Sequence, residues 1–163
     1  MDWLFVPIKR IQYKSLERTC TSAGRPSQYA NNPRAYSLDY RLLVNFEDQS
    51  RHLQMTARRP SGSSVPKHVY AVDALKAYLA KRLLRGKALR AEELFDDYDG
   101  VKNDAGPSFL ASVLRHLGVL RARKSQDGDF YEYSLGDWTQ VDALFESCSP
   151  PIDPTKIKIP KCD

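Results

Sequence analysis

The 163-residue chain is short of the side chains on which most catalytic and metal chemistry depends. Its three cysteines, Cys20, Cys148 and Cys162, are odd in number and widely spaced, which fits a reducing cytoplasm better than a disulfide framework. The three histidines, His52, His68 and His116, are scattered, and no cysteine–histidine spacing suits zinc. Its eight glycines form no phosphate-cradling loop, and no serine, cysteine or carboxylate stands in a recognisable nucleophile setting. The expectation is therefore a non-enzymatic protein without cofactor or metal, with Asp96, Asp97 and Asp99 read as an acidic helix end. Long apolar runs are lacking as well. Residues 1–11 are interrupted by Asp2, Pro7, Lys9 and Arg10, so neither a signal-peptide core nor a membrane span is expected there.

What the chain does contain is a helix running into a hairpin between Ala105 and Leu135. Leu110, Val113, Leu114 and Leu117 recur at the spacing that lines one face of a helix. Asn103 or Asp104 can cap its start, Pro107 is tolerated in its first turn, and Gly118 can close it in the left-handed conformation. The period then changes to two: Leu120 and Ala122 oppose Arg121 and Arg123, and Asp127-Gly128 turns the chain into a strand with Tyr131, Tyr133 and Leu135 inward. Arg121 is expected to face Glu132 across this hairpin. Upstream, Asp73 can cap a helix with Leu75, Tyr78, Leu79 and Leu83 on one side, ending at Gly86. A short strand over Lys87–Leu89 and a second helix over Ala91–Tyr98 follow.

That order, with RGKALRAEELFDDY leading to SFLASVLRHLGVLRARK and then GDFYEYSL, resembles the winged helix-turn-helix superfamily over residues 70–136. The resemblance implies that the third helix enters a DNA major groove while the wing touches flanking backbone. Carried onto this chain, it assigns Ser108, Ser112 and Arg115 to base edges or phosphates, with His116 near the edge, and Arg121, Arg123 and Lys124 to phosphate contacts. The same scaffold also serves as a protein-docking module, and an arginine on a solvent face is often merely solvated.

Charge is distributed against the simplest version of that reading. Residues 1–65 hold ten basic and five acidic side chains, 66–138 hold twelve and eleven, and 139–163 hold three and four. The basic excess thus lies outside the helix–hairpin segment. Glu92, Glu93, Asp96 and Asp97 crowd the second helix, where they would repel a duplex or dock a basic partner protein.

The N-terminal part is expected to be a small antiparallel β unit. Leu4, Val6 and Ile8 suggest a first strand. Leu38, Tyr40, Leu42, Val44 and Phe46 form one face of a second, and Leu53, Met55 and Ala57 one face of a third. The opposite face would carry Arg41, Asn45, His52, Gln54, Thr56 and Arg58, followed by Arg59, a donor-rich surface suited to phosphates or simply to water. Residues 20–37 read as a long basic loop. The Pro-, Gly- and Ser-rich stretch 57–67 marks a boundary.

An α+β architecture follows: a basic β-hairpin unit over 1–62, a winged-helix domain over 68–136, a C-terminal helix over 137–148 and an extended Pro-rich tail over 149–163. Asp137 can cap the last helix, whose Trp138, Val141, Leu144 and Phe145 must be buried, in the same chain by default or in a homodimer. The leading expectation is a cytoplasmic double-stranded-DNA-binding protein, a regulator or a mobile-element or phage component. The alternative is an adaptor or inhibitor that docks on a nucleic-acid-processing complex through the acidic helix or the basic β unit.

Overall fold

An alternating apolar face shapes the centre of the molecule. In the computed structural model, which describes residues 13–22, 36–59, 68–98, 101, 106–128 and 130–150, strand β2 (Tyr36–Asn45) buries Leu38, Tyr40, Leu42 and Val44 on one face. It pairs antiparallel with β1 (Tyr13–Ser22) and β3 (Arg51–Arg59), and β4 (Val69–Ala71) completes a four-stranded antiparallel sheet in the order β1-β2-β3-β4. The β2–β3 connection is a tight polar turn in which Gln49 adopts φ 62 and Asn45 Oδ1 accepts from the Glu47 amide.

Helices cover one face of this sheet. Helix α1 (Val72–Arg82) packs on β3 and β4. Helix α2 (Ala91–Leu94) precedes α3 (Gly106–His116), which packs on β1 and β2. A two-stranded hairpin of β5 (Leu120–Lys124) and β6 (Tyr131–Leu135) then leads to α4 (Thr139–Glu146), which lies on β2. One hydrophobic core runs through all of it. Leu42, Met55 and Tyr70 of the sheet belong to the same buried cluster as Leu79, Leu94, Leu114, Tyr133 and Phe145. The change in periodicity at 57–67 therefore separates sequence patterns that share one core, and β4, beyond that stretch, is a strand of the first sheet. Arg51 pins α4 in place through Asp142 at 3.0 Å and Glu146 at 3.4 Å, with its guanidinium over the Phe145 ring.

Several sequence expectations are corrected. The expected loop over 20–37 begins later, because Cys20–Ser22 belong to β1. That strand escapes periodicity analysis since Lys14 and Arg18 alternate with Leu16 and Cys20 on its inward side. The second helix is a single turn, not Ala91–Tyr98. Phe95 leaves the helical conformation, as expected where Asp96 and Asp97 would oppose the negative end of a longer helix. Lys87–Leu89 contributes one bridge, Leu89 to Tyr133, rather than a strand. Asp73 lies in the first turn of α1 and does not cap it, the cap position being Ala71. Asp137 does accept the Thr139 amide, although Trp138 occupies the cap position of α4.

Across the hairpin Glu132 pairs with Arg123 and Arg121 faces Ser134, because closure between the Ser125 amide and the Phe130 carbonyl sets the register. Leu135 is exposed, since the chain turns at Gly136 to bond Val119. A bulge at Asp39/Tyr40 also shifts the alternation in β3, so that Arg58 stands opposite Leu38 and Ala57 opposite Asp39, the reverse of the unbroken pattern. The Leu4–Ile8 strand, the Asn103 and Asp104 caps and the tail from residue 151 lie outside the described residues.

Among the described glycines without a positive φ, Gly136 leaves no room for a side chain. A Cβ there would press into the Gly118 carbonyl oxygen and crowd Val119, both backbone and unable to give way. Gly136→Ala is expected to destabilise the protein by about 2 kcal/mol or more, read as a lowered denaturation midpoint with an unchanged slope.

Candidate nucleic-acid interface

Helix α3 ends where its glycine is needed. Gly118 takes φ +81 and donates to the Arg115 carbonyl, leaving Arg115 and His116 in the last turn, where positive charge suits the helix dipole. The rest of the helix is covered. Phe109, Leu110, Ala111, Val113 and Leu114 are buried, and Ser112, expected to face outward, is only 6% exposed and donates to the Ser108 carbonyl at 2.8 Å. Ser108 itself is half-buried. The helical period alone marks one apolar face; the opposite side is covered because β1, hidden by its charged residues, packs against the helix.

Between β1 and α3 an open groove of about 630 Å³ is left, lined by Thr19, Cys20, Thr21, Ser112, Arg115, His116 and Tyr131. None of the described residues that line it is a carboxylate. Its far wall is the hairpin, where Arg115 lies with its guanidinium 5.1 Å from the Tyr131 ring centroid and Lys124 is the direct cross-strand neighbour of Tyr131. Arg115 and Lys124 make no ion pair among the described residues. Arg121 and Arg123 occupy the other face of the hairpin, and Arg123 is tied to Glu132 at 3.4 Å. Of the three wing cations expected to act together, only Lys124 shares a face with Tyr131.

The sheet's polar face is largely self-paired. Arg41 donates to Gln54 at 3.0 Å and sits 3.8 Å from Glu17, so it is engaged within the sheet. Thr19 donates to Asp39 at 2.8 Å. For Arg58 and Arg59 only the backbone is described. The acidic residues divide likewise: Glu93 pairs with Arg90 and Asp96 with Arg82, while Glu92 and Asp97 are exposed. Among the described residues, no group of three or more histidines, cysteines or carboxylates could hold a metal ion. None of the described helices is long and apolar enough to cross a membrane.

A hydrogen-bonded chain ties the groove to the core. Arg18 Nε donates to the Tyr40 hydroxyl at 3.0 Å, and that hydroxyl lies 2.7 Å from His116 Nδ1. Because a guanidinium only donates, the Tyr40 proton is available to Nδ1, a bond that a neutral His116 protonated on Nε2 accepts. Burial, with help from Arg18, lowers the His116 pKa below the ordinary imidazole value. Burial pushes Tyr40 up to about 12, Arg18 acting against it, so it remains a hydroxyl. The Cys20 thiol, likewise pushed by burial to about 11, is no nucleophile at neutral pH. Arg18, Thr21 and Tyr131 were invisible as site residues in the sequence, since β1 carries no clean alternation and Tyr131 reads as a core position.

No family model, curated protein or solved structure matches this chain significantly.

A histidine whose folded pKa is depressed binds its proton more readily in the unfolded chain. Its contribution is intact above the unfolded value of about 6.5 and is lost as pH falls through the folded value. Stability is expected to fall between about pH 6.5 and pH 5 in the native protein and to fall less in His116→Gln, measured by urea denaturation across that range.

Proposed function

We propose that this is a nucleic-acid-binding protein that acts by binding rather than catalysis, and that its 68–136 segment is a winged helix-turn-helix variant. The observation that carries the proposal is the convergence of Arg115, Lys124 and Tyr131 beside a groove in which no described lining residue is a carboxylate. Two cations without ion pairs among the described residues, next to an aromatic ring and hydroxyl groups, suit a phosphate-bearing chain better than a neutral or cationic ligand. The order of elements supports the winged-helix reading, as does the Leu89–Tyr133 bridge, which adds a short third member to the hairpin where the resemblance expects one. The adaptor reading through the acidic segment draws on less, because Glu93 and Asp96 are held by Arg90 and Arg82.

Affinity should be modest and steeply salt-dependent, since a segment close to electrical neutrality contributes few phosphate contacts. Arg115→Ala and Lys124→Ala are each expected to weaken binding and to reduce the slope of log affinity against log salt by about 0.7 to 0.9. Arg121→Ala and Arg123→Ala, on the other hairpin face, should have little effect. Fluorescence anisotropy across a salt series checks this. Absence of binding to DNA or RNA in any form at low salt would exclude the proposal.

A further inference from the structure

We infer that the groove takes a single nucleic-acid strand, with a base stacked at Tyr131 and phosphates on Arg115 and Lys124; this rests on the nucleic-acid reading above and narrows it. A duplex is read by an element that protrudes into a groove roughly 12 Å wide. Here the geometry is inverted. Helix α3 lines a depression together with β1 and the hairpin, and Ser112, which a reading helix would present, is 6% exposed. A paired base enters only by flipping out of its stack, at the cost of its stacking and pairing. An unpaired strand enters without that cost, and 630 Å³ falls within the roughly 300–1,000 Å³ of pockets that enclose small ligands.

The chemistry of the walls agrees. Lys124 and Tyr131 are a direct cross-strand pair, and the Arg115 guanidinium lies over the same ring. A π-face flanked by cations is the combination that grips bases and backbone together without selecting a sequence. The opposite wall is a strand edge. Ser15 spends its outward amide and carbonyl on Ser149, and the antiparallel alternation turns the same groups of Thr19 and Thr21 outward, away from β2. Those backbone groups have no partner among the described residues, and both residues line the groove. They offer donors and acceptors to the Watson–Crick edges of bases, which are free in a single strand and occupied in a duplex.

The test uses the full chain and labelled strands of about 12 nucleotides, a length within the usual span of single-strand sites. Single-stranded DNA, RNA of the same sequence and the corresponding DNA duplex are compared by anisotropy. Either single strand should bind at least about tenfold tighter than the duplex, and the preferred sugar names the natural ligand. Tyr131→Leu should weaken single-strand binding about tenfold while Tyr131→Phe retains it. A photoreactive strand should crosslink at β6 in the unaltered protein, which keeps the test valid if Tyr131→Leu fails to fold. Duplex binding as tight as single-strand binding, and sensitive to Arg115→Ala, would overturn the single-strand inference and leave the wider reading standing. So would unchanged affinity in folded Tyr131→Leu, or crosslinks confined to other elements. Capture of an acidic peptide with no nucleic acid bound would overturn both.

Discussion

Burial of α3 on two sides at once is the constraint on which the rest of the molecule depends. Leu110, Val113, Leu114 and Leu117 fill the core that the four-stranded sheet, the hairpin and the other helices close around. A helix of eleven residues is marginal by itself and owes its stability to this packing. The same packing fixes where Arg115 and His116 emerge, because in α3 only these two residues of the last turn are exposed. Position and exposure of the functional side chains are thus consequences of core formation rather than of local sequence.

Much of this was legible in advance. The β2–β3 hairpin, the core face of α3, its glycine stop and the order of elements after residue 70 follow from periodicity and turn chemistry, because each of those segments presents a single apolar face. The candidate site was legible only in part. Arg115 and Lys124 stand out as cations on exposed positions, yet nothing local distinguishes Lys124 from Arg121 and Arg123. That distinction comes from hairpin register, which assigns alternate residues to opposite faces. Strand β1 is not legible because Lys14 and Arg18 interrupt the apolar face that Leu16 and Cys20 share. The groove depends on β1, whose Thr19, Cys20 and Thr21 line it opposite Arg115 and His116.

The hydrogen-bonded chain Arg18–Tyr40–His116 belongs to the same class of long-range feature. Its members are separated by 22 and 76 positions, so only the fold brings them together. Tyr40 is fully buried and would be an unsatisfied hydroxyl without them, which makes the pair of partners a condition of placing a tyrosine at that point of the sheet. The groove's rear wall is polar for a structural reason, and a ligand there meets a side-chain arrangement already held in place.

The bulge at Asp39/Tyr40 has a further consequence for how the strands find one another. On one side of it Met55 lies opposite Tyr40, and on the other Ala57 lies opposite Asp39, with Thr56 as the extra residue between. The two halves of β3 are therefore out of phase. Any slip of β3 along β2 that improved the fit of one half would turn the other half inside out, carrying Leu53 and Met55 from the core toward water. A two-phase strand of this kind has a single alignment that satisfies both halves, so the irregularity acts as a register lock for the sheet against which α3 is built.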